Sequence, residues 1–157
     1  MTGEERREYG IKVTQAGSGE LVVLTYDIII QYLDDAVAAV NRSDETEYRR
    51  NLRLAKALLA ELSGSLDMKY DISSKLMSLY LFMNRTIVKA GISCDTEEID
   101  RISVMLARLR DAFAQAAGEC PQEPLMDNVE SVYTGYTYSR TAMNEDIYSN
   151  SNRGFTV

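Results

Sequence analysis

Enzymatic chemistry at a protein surface needs a general acid or base, an activated nucleophile, a metal ligand set or a phosphate cradle. The 157-residue sequence contains no histidine. That removes histidine phosphotransfer and the Glu-x-x-His ligand pairs of di-iron helical bundles. Neighbouring carboxylates exist at Asp34–Asp35 and Glu97–Glu98. Adjacent residues on a helix diverge by about 100°, so neither pair can close on one atom, and both read as solvated faces. No Gly-rich loop follows a strand pattern and no Cys-x-x-Cys is present. Cys94 and Cys120 flank one predicted helix of roughly 23 residues, ~34 Å long at 1.5 Å per residue. A disulfide needs Cα atoms within ~7 Å, so both thiols are expected to be reduced, as suits a cytoplasmic protein. The sequence thus predicts no catalytic residue, no metal, no cofactor and no enzyme.

The residues that stand out are suited to binding instead. On the third long helical segment, Asp71, Ser74, Lys75, Ser78, Arg85 and Lys89 form a polar stripe. Phe82 projects into the middle of that stripe, with Leu81 at its edge. An aromatic ringed by polar and basic groups is a candidate partner contact, or a site covered by another part of the chain. The outer faces of the second and fourth segments carry small residues: Ala57, Ala60 and Gly64 on one, Ala107 and Ala114 on the other, with Val104 beside the latter. Small side chains let another backbone approach closely, though surface alanine also simply favours helix.

Four helical segments must position these residues. The most apolar is Glu20–Arg42, where Val22, Tyr26, Ile29, Leu33, Ala36 and Val40 follow steps of four and three. Leu21, Val23, Leu24, Ile28, Ile30, Tyr32 and Val37 occupy most of the remaining circumference, predicting a helix buried on nearly all sides. Asp27 interrupts it well short of the ~20 apolar residues of a membrane span. Ser18 is its expected N-cap. A second helix starts at Ser43–Asp44 with the seam Tyr48, Leu52, Ala55, Leu59, Leu62 and Leu66. A third, capped by Asp71, has the seam Ile72, Leu76, Leu79, Met83, Ile87 and Ala90, and Gly91 suits its left-handed C-terminus. A fourth opens on Asp95 and Glu98 in capping-box spacing, with Ile99, Ile102, Leu106, Leu109, Phe113 and Ala116 inward. The fold expected is all-α: an antiparallel four-helix bundle over residues 18–118, with an N-terminal arm at 1–17 and a C-terminal tail at 119–157. Within the arm, Glu4 to Tyr9 is the stretch with helical potential. Pro121 and Pro124 mark the tail boundary. Beyond them the chain is polar and tyrosine-bearing, and Leu125, Val129, Val132 and Tyr136 are spaced for one face of a short helix that would dock on the bundle.

A net charge of −7 and the absence of a basic cluster in the sequence argue against nucleic-acid binding. The polar start MTGEERREYG predicts no signal peptide.

The order and spacing of several short motifs resemble the FliS family of flagellar export chaperones. They are Tyr9, Thr14, Glu20–Leu21, Thr25–Tyr26–Asp27, the Leu66–Asp67 turn, and LYLFMNR from Leu79 to Arg85. The resemblance runs from about Tyr9 to Ala117. Departures include Gly17–Ser18–Gly19 in place of a Ser-Pro, Ile28 in place of a glycine, and a middle turn without its double glycine.

The resemblance implies a cytoplasmic chaperone that binds the disordered C-terminal segment of flagellin and prevents premature polymerisation. It also implies delivery to the cytoplasmic domain of the export gate, with no direct membrane insertion. A client that orders on binding needs a large wrapped surface. Leu81, Phe82, Arg85, Tyr9, Ala57, Ala60 and Val104 are the expected partner-binding residues. Tyr26, Leu79, Tyr80 and Met83 are expected to support the core beneath them. The alternative reading is a helical adaptor or self-associating structural protein that uses the same outer faces without a disordered client.

Overall fold

A computed structural model describes residues 3–119 of the chain. Of the expected tail, Glu119 is the last residue of a helix, and the rest, with Cys120, the two prolines and the Leu125–Tyr136 segment, lies outside the described residues. Among the described residues there are five α-helices and no strand: α1 Gly3–Gln15, α2 Ser18–Asn41, α3 Glu45–Gly64, α4 Asp71–Ser93 and α5 Thr96–Glu119. None of them is long and apolar enough to cross a membrane.

The first helix is longer than the sequence suggests. It extends past Tyr9 to Gln15 although it buries no residue. Local side-chain pairs support it: Glu4 and Glu5 lie at its positive end, Lys12 pairs with Glu8 at 2.8 Å, and the Lys12 ammonium sits 5.5 Å from the Tyr9 ring centroid. The break before α2 falls at Ala16 and Gly17. Gly17, rather than Ser18, is the N-cap, and its N–H donates to the Glu20 carboxylate at 3.1 Å.

The α2–α3 junction satisfies both helix ends within four residues. Ser43 is left-handed (φ 58°), its N–H donates to the Val40 carbonyl at 2.9 Å, and the Asp44 N–H donates to the Ala39 carbonyl at 2.9 Å. These are the paired closing bonds of a Schellman turn. The Asp44 side chain then accepts from the Glu47 N–H at 3.0 Å, capping α3. The α3–α4 turn is organised by Asp67. Its carboxylate accepts from the Lys69 N–H at 3.0 Å, and its carbonyl accepts from the Ser73 hydroxyl at 2.6 Å. Tyr70 is the residue preceding α4, so Asp71 is helical rather than the cap. At the far end α4 runs past Gly91 to Ser93, and Cys94 takes the left-handed conformation (φ 54°). Asp95 accepts from the Glu97 and Glu98 N–H groups at 3.1 and 3.3 Å, capping α5.

The core lies between α2, α3, α4 and α5, with α2 packed on α3 and α5, and α4 packed on α3 and α5. α2 contributes Tyr26, Ile29, Leu33, Ala36 and Ala39, each fully buried. Its other apolar residues, among them Leu21, Val23, Leu24, Ile28, Ile30, Tyr32 and Val37, are only half-buried. The helix therefore has one dry seam and two half-covered flanks, because its neighbours close on it from two sides. α3 buries Tyr48, Leu52, Ala55, Leu59 and Leu62, plus Asn51, which its polarity had hidden. In α4, Leu76, Tyr80, Met83, Ile87 and Ala90 are buried, while Ile72 is 58% exposed at the open end of the helix. In α5, Ile99, Ile102 and Leu106 are buried, Leu109 and Phe113 half-buried, and Ala116 exposed.

Two close approaches join helix ends. A Cβ on Gly91 would lie 3.3 Å from Leu52 Cδ1, and one on Gly19 would lie 3.1 Å from Ala117 Cβ. Gly91 thus serves the α3–α4 contact, not a helix stop. Beside it, the Tyr48 hydroxyl donates to the Ala90 carbonyl at 2.7 Å.

Candidate partner-binding surface

α4 positions most of the residues of interest, and its inward side fixes their directions. Tyr80 and Met83 are buried, and Leu79 is half-buried against the core. The Tyr80 and Tyr26 hydroxyls hydrogen-bond to each other, and the Tyr26 ring packs on Phe113 with centroids 5.6 Å apart. Burial raises the pKa of both phenols, and for Tyr26 the bond to Tyr80 adds to the rise. Both stay neutral at any ordinary pH.

With that side inward, Phe82 and Leu81 emerge on opposite flanks of α4. Phe82 is 52% exposed and lines a groove of about 540 Å³ between α4 and α5. Its companions there include Thr86, Lys89, Arg101, Ile102 and Met105. Leu81 lies about 100° further round. It shares a stripe with Arg85, Val88 and Ile92, on the flank from which Gly91 meets Leu52 of α3. Leu81, Val88 and Ile92 are 45%, 41% and 83% exposed.

The remaining expected contact residues are distributed over three other helices. Ala57 and Ala60 are exposed on α3, on the face that also carries Arg53 and Lys56. Val104 is 54% exposed on α5, opposite its buried seam and outside the α4–α5 groove. Tyr9 is half-buried on α1, and its phenol pKa is raised, first by burial and then by the charge of Asp27. Asp27 pairs with Arg110 of α5 at 3.2 Å, not with Arg85, which faces solvent. The expected residues thus form two flanks of α4 and separate outer positions, not one patch.

Several surface features escaped the sequence reading. Val88 and Ile92 follow Leu81 at steps of seven and four, a helical apolar period carried by the sequence itself. A second groove of about 530 Å³ is lined by the end of α1, the start of α2 and the end of α5, including Lys12, Ala16, Gly19, Val23, Leu24 and Ala117. Only the fold brings those segments together. Among the described residues no three histidine, cysteine or acidic side chains are grouped to hold a metal ion.

The family model described as flagellar protein FliS matches residues 4–120, which takes in nearly all five helices. A similar protein is the flagellar secretion chaperone FliS of Bacillus subtilis (strain 168). It is 28% identical over 104 residues, 66% of this chain and 78% of the relative. The matched span includes the Leu79–Arg85 motif, the buried tyrosine on either side of the core and both flanks of α4, and the chain belongs to the FliS family of flagellar proteins.

Proposed function

We propose that this protein is a cytoplasmic export chaperone for flagellin. It holds the client's disordered C-terminal segment on the outer faces of an antiparallel four-helix bundle made by α2–α5. The contacts between helix ends support that arrangement: the start of α2 approaches the end of α5 at Gly19 and Ala117, and the start of α3 approaches the end of α4 at Tyr48 and Ala90. The observation that carries the functional reading is a FliS-family chain whose central motif exposes large apolar side chains on both flanks of α4. A folded partner usually engages one contiguous complementary patch. Candidate contacts spread over several outer faces suit a segment that orders as it wraps, because ordering entropy must be offset by a large buried area. Covering that segment prevents it from polymerising before export, and the loaded chaperone then meets the cytoplasmic domain of the export gate.

Co-purification with monomeric flagellin tests this reading. The complex is expected to form with full-length flagellin and to be lost when the client's C-terminal segment is deleted. A chain that self-associates and ignores flagellin would instead be an adaptor or structural protein.

A further inference from the structure

The charge of this acidic chain is unevenly placed. α2 carries four acidic side chains and no basic one, whereas residues 45–93, which span α3 and α4, carry eight basic and five acidic side chains. Three of those acids are occupied locally: Glu45 by Arg49, Glu47 by Arg50 and Asp67 by Lys69. Among the described residues no carboxylate pairs with Arg53, Lys56 or Arg85. Arg53, Lys56, Ala57 and Ala60 share one face of α3 at steps of three, one and three, and Arg85 stands in the Leu81–Val88–Ile92 stripe of α4. Counting along the two helices from the Leu52–Gly91 contact sets Lys56 about level with Arg85 to Val88. Cations from the two helices therefore border a strip of exposed aliphatic side chains about three turns, or ~16 Å, long. Like charges gathered without counter-ions repel, and that repulsion is relieved by an anionic partner.

We propose that this face of α3 and α4 receives an amphipathic helix whose apolar stripe is bordered by carboxylates. The proposal rests on the chaperone reading above and specifies the chemistry of the client segment that fits this flank. Leu81, Val88 and Ile92 meet the partner's apolar stripe, and Ala57 and Ala60 let its backbone come close. Arg53, Lys56 and Arg85 select acidic borders and speed encounter, as rim charges do. The strip is aliphatic and offers no aromatic platform for bases, which favours a peptide over a nucleic acid.

The test is calorimetry of the full-length chain with two synthetic peptides. Both carry the same leucine–isoleucine stripe, one bordered by glutamates and the other by lysines. The glutamate peptide is expected to bind and the lysine peptide to bind at least about tenfold more weakly. The difference is expected to shrink as added salt shortens the screening length from ~30 Å to ~8 Å. Arg53→Glu with Arg85→Glu is expected to cost the glutamate peptide about tenfold, and Arg53→Gln with Arg85→Gln less, with melting unchanged because both side chains are exposed. Equal binding of the two peptides, binding of neither, or binding of single-stranded RNA in preference to both overturns the proposal. Flagellin that still co-purifies with the charge-reversed variant, at undiminished affinity, removes this inference and leaves the chaperone reading. Wild-type chain that binds the glutamate peptide but no flagellin does the reverse.

Discussion

The hydroxyls of Tyr26 on α2 and Tyr80 on α4 satisfy each other in a core where both side chains are essentially inaccessible, at 0% and 2% exposure. Neither has water as a fallback. Removing one hydroxyl leaves the other buried without its partner, at about 1–3 kcal/mol, whereas removing both leaves nothing unsatisfied. Tyr80→Phe is therefore expected to lower the urea midpoint more than the Tyr26→Phe/Tyr80→Phe double variant does. Equal or additive losses would show that the pair is not acting as a unit.

Phe82 is expected to matter to binding and not to folding. It is half exposed, and truncating a surface side chain usually changes stability by no more than ~0.5 kcal/mol. An aromatic anchor in a groove typically contributes more than ~1 kcal/mol to association. Phe82→Ala should leave the melting transition in place and weaken flagellin binding in calorimetry by at least ~1 kcal/mol. Unchanged affinity would exclude the α4–α5 groove as a contact.

The helices were legible where side chains themselves mark the ends. Asp44 and Asp95 cap α3 and α5 because a short side-chain acceptor just before an apolar-periodic run can take the unpaired N–H groups of the first turn. α1 was readable only in part, because a helix that buries nothing has no apolar period, and its support comes from pairs such as Glu8–Lys12. Gly91 looked like a helix terminator, yet its lack of a side chain serves the contact with Leu52 two residues before the helix ends. The candidate binding surface was the least legible. A helical wheel places Leu81 and Phe82 side by side on an outer face, but only the positions of α3 and α5 show that Phe82 lines the α4–α5 groove while Leu81 lies on the flank nearer α3.

Gly19 is expected to be intolerant of bulk for a related reason. A Cβ there would lie 3.1 Å from the Ala117 Cβ, a methyl that no side-chain rotation can move aside. Gly19→Val should cost about 1–3 kcal/mol by forcing the start of α2 away from the end of α5. Ala117→Gly in the same chain should return part of that loss, since it vacates the contested space. Thermal melts of the two variants and the wild type give the comparison, and a Gly19→Val chain as stable as wild type would mean that the two helix ends are not in fixed contact.

Asp34 on α2 supplies a stability change with a definite pH sign. Its carboxyl pKa is raised from the ordinary value of 3.8, first by partial burial and then by the charge of Asp100 on α5. A raised pKa means that the folded chain holds this proton more tightly than the unfolded chain does. Stability from this group is therefore greatest below 3.8 and is lost as pH rises through the folded value, leaving a charged Asp34 unfavourable at neutral pH. Asp34→Asn should accordingly raise the unfolding free energy from urea titration at neutral pH, by no more than ~0.5 kcal/mol for so accessible a group. The same substitution should lose its charge effect well below 3.8, where the wild-type side chain is neutral in both folded and unfolded chains. Asp100→Asn should reproduce part of the gain, and the double variant should fall short of the sum, because once either charge is gone the repulsion is gone. A gain that persists undiminished in acid would trace the effect to amide packing or hydrogen bonding instead of charge.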